Sequence, residues 1–161
     1  VLATGEPIVG RVELWFDAQG IPAWYATTKL PIRSRAGEVV GVMGVSQEAE
    51  GRARGSAPWG QIEPAVRCAR ERFRGPVGVA DLAAAAGLSV RQLERQFRAA
   101  LNVTPHEFLV KTRVLAACRA LRETAVPLAA VAAECGFYDQ SSFTKQFRRY
   151  VGQTPLRFRK A

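Results

Sequence analysis

The sequence predicts an α+β chain in two regions: an N-terminal three-stranded antiparallel sheet, then an all-α domain of two helix-turn-helix units joined by a long helix. Three observations predict this fold class. Apolar residues alternate with polar ones before residue 50, and they follow helical spacing after residue 59. A stretch rich in Gly, Ser and Pro separates the two patterns. The helical region also contains an internal repeat.

Residues 1–49 are predicted to form the sheet as two successive hairpins. The strands are IVGRVELWFD, IPAWYATTKLPIRS and VVGVMGVSQ, and Gly20 and Gly37 lie in the turns between them. In the first strand, apolar residues occupy alternate positions, as in a half-buried strand. These residues are Val12, Leu14 and Phe16.

A linker is predicted at residues 50–58, where Gly51, Gly55 and Pro58 interrupt both patterns. The helix that follows carries an apolar stripe at helical spacing and ends before Gly75-Pro76. The stripe consists of Ile62, Val66, Ala69 and Phe73.

The helical region repeats itself after 49 to 50 residues. LAAAAGLSVRQLERQFRAALNVTPHEF aligns with VAAECGFYDQSSFTKQFRRYVGQTPLRF, which places Gly87 opposite Gly136 and Phe97 opposite Phe147. Each copy predicts a helix, a glycine turn, a second helix and a Thr-Pro start of another helix. The predicted parts are helix-turn-helix unit one at 59–103, a connecting helix at 104–124 and unit two at 127–161.

Residues at the predicted helix ends agree with this division. Gly87 and Gly136 stand where a sharp turn requires a residue that tolerates positive φ. Pro105 and Pro155 fall at first helical positions. Three N-caps are predicted, two of them with a capping-box partner. They are Ser89 with Gln92, Thr104 with Glu107, and Asp139.

The second helix of each unit has an inward apolar side and an outward polar side. At 100° per residue, Leu93 and Phe97 share one side in unit one, as Phe143 and Phe147 do in unit two. The outward side chains are of the types that read bases and hold phosphates in a major groove. A glutamate there could accept from cytosine, although it would repel phosphates. The candidate contacts are Arg91, Glu94, Arg95 and Arg98 in unit one, and Gln140, Ser141, Thr144, Lys145 and Arg148 in unit two.

The connecting helix is predicted from an apolar stripe formed by Val110, Val114, Ala117 and Leu121. Its length of about 20 residues corresponds to roughly 30 Å. Successive major grooves on one face of DNA lie about 34 Å apart. One helix of this length could therefore hold two reading heads in a single chain.

The net charge of +9 belongs entirely to the helical region. Residues 1–58 contain six basic and six acidic residues, which leaves 17 basic and 8 acidic residues in 59–161. A basic helical domain beside a neutral sheet predicts a polyanionic ligand for the helical region only.

Other functional classes find little support in the composition. Cys68, Cys118 and Cys135 include no CxxC pair, and with a single histidine they predict free thiols in a reducing cytoplasm and no metal site. No membrane span is predicted, because no run of about 18 apolar residues occurs. The sequence lacks the common hydrolase, metalloprotease and nucleotide-binding motifs, so it predicts a protein that is not an enzyme.

The helical region resembles the AraC/XylS family of bacterial transcription regulators. The most specific part is PLAAVAAECGFYDQSSFTKQFRRYVGQTPLRFR, with its GF pair, Asp, Ser-x-Phe, a Phe four residues later, G-x-T-P and a terminal Arg. RVLAACRALRET is similar to the connecting helix of the family. The resemblance covers about residues 60–161 and implies two helix-turn-helix units that bind adjacent major grooves. It implies contacts with bases or phosphates at the outward residues named above.

The N-terminal region resembles the last three strands of a PAS sensor domain. The resemblance rests on a Trp-bearing second strand, the exit KLPIR and a G-x-V-V-G turn into the final strand. The tail SQEAE departs from the Asp-Ile-Thr ending, and the elements that line a PAS ligand cavity are absent. No cofactor is therefore predicted, and no cofactor-binding residue can be named. Because the chain starts at Val1 within a strand-like pattern and without methionine, we expect the true N-terminus to be missing.

The resemblances imply double-stranded DNA and RNA polymerase as partners. They also imply a homodimer through the PAS-like region, because unpaired strand edges favour pairing with a second chain. A second functional class stays open, a PAS-like protein-interaction module whose helical half binds DNA only non-specifically.

Overall fold

The computed structural model describes residues 1–2, 4–16, 22–48 and 57–160. Its three strands are β1 (Ile8–Phe16), β2 (Pro22–Arg33) and β3 (Val39–Glu48), which pair antiparallel in the order β1-β2-β3. This is the meander that the sequence predicts. The predicted turn at Gly37 is confirmed by its φ of 88° and by the donation of its N–H to the Ser34 carbonyl at 2.9 Å. The other predicted turn, at Gly20, lies outside the described residues.

One face of the sheet exposes apolar side chains. Leu30 pairs with Met43, and Thr28 pairs with Val45, so these side chains share a face. Leu30, Met43 and Val45 are all exposed. On the next register position, Ile32 pairs with Gly41 and adds a fourth apolar group.

Among the described residues, seven helices follow the sheet, and they form the all-α region that the sequence predicts. They are α1 (Ala57–Arg72), α2 (Val79–Ala85), α3 (Val90–Leu101), α4 (Pro105–Glu123), α5 (Leu128–Glu134), α6 (Gln140–Val151) and α7 (Pro155–Lys160). α1 begins at Ala57, so the predicted linker at 50–58 extends two residues too far. Pro58 lies in the first turn of α1, where an absent N–H breaks no helical hydrogen bond. Residues 50–56 of that linker lie outside the described residues.

The predicted helix ends are confirmed. Ser89 and Thr104 are N-caps with complete capping boxes, and the carboxylate of Asp139 accepts from the Ser142 N–H at 2.6 Å. Gly87 and Gly136 have φ values of 64° and 78°, as sharp turns between helices require.

The helices form two hydrophobic cores that share α4. The first core joins α1, α2 and α3, and it includes Ile62, Leu93 and Phe97. The second joins most of α4 to α5, α6 and α7, and the predicted stripe of Val110, Val114, Ala117 and Leu121 lies there. Only the first turns of α4, through Phe108 and Leu109, pack against the first core. The connecting helix therefore belongs mainly to unit two.

The sheet contacts the helical region at the end of α3. Asn102, which caps α3 in the left-handed conformation, donates from its side-chain amide to the Val9 carbonyl at 3.4 Å. No helix among the described residues has the length and apolar character required to cross a membrane.

The three cysteines are buried free thiols. Two of them should make the free energy of unfolding depend on pH in the alkaline range. Burial raises the pKa of Cys118 to about 12 and that of Cys135 to about 11. In the unfolded chain these thiols ionise near pH 8.5, so above that pH the folded state binds more protons and the free energy of unfolding falls as pH rises.

We expect a Cys118→Ala/Cys135→Ala variant to lose part of this pH dependence. Urea denaturation of both proteins between pH 7 and about 10.5 measures it, since the thiols are the groups that the variant removes. The two proteins are compared by the slope of the free energy of unfolding against pH. The absolute values are not compared, because the cavities left by the two alanines lower stability at every pH. Identical slopes for the two proteins would contradict the raised pKa values.

Candidate nucleic-acid interface

In α3 the capping box fixes which side chains point outward. The Ser89 N–H and hydroxyl donate to the Gln92 side-chain oxygen at 2.9 and 2.8 Å, and the Gln92 N–H donates to the Ser89 hydroxyl at 3.3 Å. With the helix start fixed and Leu93 and Phe97 fully buried, the opposite side faces solvent. The four outward residues predicted in unit one are all exposed. They are Arg91, Glu94, Arg95 and Arg98.

In α6 a carboxylate cap and two phenylalanines perform the same task. Asp139 caps the first turn, and Phe143 and Phe147 are fully buried. The Thr144 hydroxyl donates to the Gln140 carbonyl at 2.8 Å. Because its proton is engaged there, the oxygen of this hydroxyl can act towards a ligand as an acceptor.

The outward side of α6 forms one open groove of about 750 Å³. All five residues predicted in unit two line this groove. Two further residues, Arg149 and Thr154, complete it. The full set is Gln140, Ser141, Thr144, Lys145, Arg148, Arg149 and Thr154.

The charge of the two faces differs. α6 contains Lys145, Arg148 and Arg149 and no acidic residue, whereas α3 places Glu94 among its three arginines. The cations of both faces lie in the exposed positions where a polyanion could approach them. The Arg149 guanidinium also lies over the Tyr150 ring, 5.4 Å from its centroid.

The sequence interpretation missed four residues on these surfaces. Val90 is 42% exposed at the first position of α3, opposite Gln140 in the internal repeat, and Tyr138 is 97% exposed just before the cap of α6. The repeat could have indicated Val90 and Thr154, because Val90 aligns with the candidate contact Gln140 and Thr154 aligns with the N-cap Thr104. Arg149 follows the buried Phe147 by two residues and so lies on the opposite side of α6, which the helical period could also have indicated. Tyr138 precedes the helix and carries no such signal.

Three comparisons place this arrangement among known proteins. A family model described as a helix-turn-helix domain matches residues 82–161. The solved AraC-type regulator from Chromobacterium violaceum superposes with a TM-score of 0.61 at 28% identity, over 66% of this chain and 94% of that one. The DNA-binding domain of AdpA, solved in complex with a target DNA, superposes with a TM-score of 0.59 at 32% identity, over 62% of this chain and 90% of that domain.

Residues 82–161 are an AraC-type helix-turn-helix DNA-binding domain. Among curated relatives, LumQ of Photobacterium leiognathi is 37% identical over 82 residues, which are 51% of this chain and 33% of LumQ. The HTH-type transcriptional regulator GbdR of Pseudomonas aeruginosa is 30% identical over 95 residues, which are 59% of this chain and 26% of GbdR. The chain therefore spans a third or less of the length of these two relatives. The matched part is the helical region, and the three-stranded sheet lies outside the matched family model.

Proposed function

We propose that this chain is a sequence-specific DNA-binding transcription regulator that inserts α3 and α6 into adjacent major grooves. The observation that carries the proposal is the repeated helix with a buried apolar row and an exposed polar or basic side. A major groove admits one α-helix, and its bases present donors and acceptors to such side chains. The AdpA domain, which shares the fold, was solved with DNA.

Within unit one, the arginines carry most of the binding. Arg91 and Arg95 can each donate two hydrogen bonds to the O6 and N7 atoms of guanine, and Arg98 is one turn further, where it can neutralise a phosphate. Glu94 can accept from the amino group of cytosine. The exposed methyl groups of Val90 can contact the thymine C5-methyl group.

Within unit two, the groove on α6 provides both reading and anchoring groups. Gln140 suits adenine, because its amide can donate to N7 and accept from the N6 amino group. Ser141 and Thr144 suit short polar contacts, and the engaged proton of Thr144 makes it an acceptor of a base amino group. Lys145, Arg148 and Arg149 supply positive charge for bases or phosphates.

The sheet is proposed to be the C-terminal part of a PAS-type sensor that couples a signal to DNA binding. The contact from Asn102 to Val9 supports coupling, because it joins the sheet to the end of α3. The exposed apolar side chains of β2 and β3 support a homodimer through this sheet. RNA polymerase is proposed as the partner of the DNA-bound protein. The alternative function is a protein-interaction module that binds DNA only non-specifically.

Selection of random duplex DNA on the full chain tests the proposal. We expect enrichment of two short motifs about one helical turn apart, with one motif for each unit. The binding constant for the selected DNA should fall by about 0.9 log units per tenfold increase in salt for each phosphate neutralised. Salt-sensitive binding without an enriched motif would favour the alternative function.

Substitution of Arg95 or Lys145 by alanine tests the assigned contacts. If the side chain reads a base, the selected site should bind about 1–3 kcal/mol more weakly, and the preference should relax at one base position. Arg67→Ala is the control, because Arg67 is an exposed arginine of α1 outside both faces. An equal loss on all sequences would reassign that residue to phosphate contact, and an effect no larger than that of Arg67→Ala would remove it from the interface.

A further inference from the structure

Arg113 joins two parts of the chain that belong to different units. It lies in the middle of α4, half-buried, and its guanidinium donates to the carbonyl oxygens of Phe73 at 2.9 Å, Gly75 at 3.2 Å and Val77 at 3.4 Å. These carbonyls follow the last residue of α1, where backbone acceptors have no partner within the helix. One side chain on the helix of unit two thus holds the exit of the first helix of unit one.

Gly136 closes the same junction from the other side. It forms the turn between α5 and α6, and a Cβ atom placed on it would overlap the Phe73 carbonyl oxygen and lie 2.9 Å from Arg113 Nε. The equivalent turn of unit one has space, since, apart from its two chain neighbours, no atom of the described residues lies within 4 Å of a Cβ built on Gly87. The close approach is therefore specific to the contact between the units and is not a requirement of the turn.

A third contact lies beside the first two. Arg74 directly follows Phe73, and its positive charge acts on the Cys135 thiol, which directly precedes Gly136. Burial dominates and raises the pKa of that thiol, whereas Arg74 lowers it. The end of α1 and the end of α5 are accordingly in electrostatic as well as steric contact.

The position of the junction on α4 matters mechanically. The first core holds α4 only by its first turns, up to Leu109, and Arg113 lies one turn further along. Apart from the contacts of Arg113, Gly136 and Cys135, unit one is attached to the rest of the domain through that first segment of α4. The three hydrogen bonds of Arg113 strengthen this second point of attachment, which opposes rotation of unit one about the segment.

We propose that the Arg113–Phe73–Gly136 junction sets the relative position of α3 and α6, and that it thereby determines which spacing between two half-sites the protein accepts. The inference rests on the proposed function. One added base pair turns the second half-site by about 34–36° around the DNA axis and moves it by about 3.4 Å. Two rigidly connected helices cannot follow that change, whereas two loosely connected helices can.

Arg113→Gln tests the proposal, with Arg119→Gln as the matched control. Arg119 is an exposed arginine of the same helix, so both variants remove one positive charge from α4. The DNA carries the two selected half-sites with the spacer shortened or lengthened by one or two base pairs. For the wild-type chain and Arg119→Gln, a spacer that is one base pair too long or too short should weaken binding about tenfold. The DNA or the protein must deform before both half-sites can be contacted.

For Arg113→Gln we expect weaker binding at the best spacing and a clearly smaller penalty for a changed spacer. Base preference within each half-site should stay unchanged, which a general loss of structure would not allow. Circular dichroism and urea denaturation show whether the Arg113→Gln variant is folded. If it is not, Arg113→Lys takes its place, because lysine keeps the charge but lacks the planar fork that reaches three carbonyls.

The outcomes distinguish a failure of the junction proposal from a failure of the proposed DNA-binding function. A folded Arg113 variant with the wild-type spacing profile would overturn the inference while the two motifs still support a regulator. A wild type that selects no pair of motifs would overturn the proposed function, and the inference with it. A broadened spacing profile in Arg119→Gln as well would assign the effect to charge and would also overturn the inference.

Discussion

Replacement of Phe147 by alanine is expected to lower the free energy of unfolding by about 3–5 kcal/mol. Phe147 is fully buried at the centre of the second core. Its ring meets Phe143 edge-on at a centroid distance of 5.5 Å and Phe158 at 5.4 Å, an arrangement that adds stabilisation beyond the buried area. A loss of this size approaches the total stability of a small domain.

Phe97→Ala is the matched comparison, because the repeat places Phe97 at the same position of unit one. Phe97 is also fully buried, and its ring contacts Phe108 edge-on at 5.7 Å. Since α4 contributes to both cores, we expect each substitution to shift one common urea transition. Two separate transitions in either variant would show that the units unfold independently, and a loss below about 1 kcal/mol would contradict tight packing around the ring.

Local signals in the sequence were sufficient for the helical elements. The N-caps at Ser89, Thr104 and Asp139 and the glycines at Gly87 and Gly136 act within a few residues of their own position. Because the repeat contains the glycine turn and the helix cap twice, the prediction for one unit supported the prediction for the other. The burial of the apolar rows of α3 and α6 follows from the same helical period, and this is why the outward residues of the two helices could be listed from the sequence.

Contacts between distant segments could not be predicted in this way. In the sequence Arg113 is an arginine within an otherwise mainly apolar helix, and nothing near it indicates that its partners are carbonyls about 40 residues earlier. Gly136 was explained by its turn alone, whereas its second role depends on the approach of Phe73. Thr154 lies in the same groove as the outward residues of α6 because α7 starts beside that helix. Such contacts depend on the packing of whole helices.

The sheet illustrates the same limit on a smaller scale. Alternating residues predicted the strands, but the pairing shifts between Ile32 and Arg33, which face Gly41 and Val39 and leave Val40 between them. A bulge of this kind is decided by how the strands twist and by what covers them, so the residue pattern does not reveal it.

The asymmetry between the two units also explains why their equivalent glycine turns should respond differently to substitution. Both glycines adopt positive φ, and each therefore resists any L-residue. Only Gly136 has the neighbouring unit against it. A pair of equal substitutions thus separates the local requirement of the turn from the packing between units.

Gly136→Ala is expected to lower the free energy of unfolding by about 2–5 kcal/mol, the sum of about 1–2 kcal/mol for positive φ and about 1–3 kcal/mol for steric overlap. Gly87→Ala has only the first contribution, so its loss should be about 1–2 kcal/mol. Urea denaturation of the full chain, followed by circular dichroism, measures both. Equal losses would mean that Phe73 moves away without resistance, and the junction would then be too soft to hold α3 and α6 at one separation. A larger loss for Gly136→Ala would show that the backbone of unit one resists displacement at this point, as a rigid two-headed reader requires.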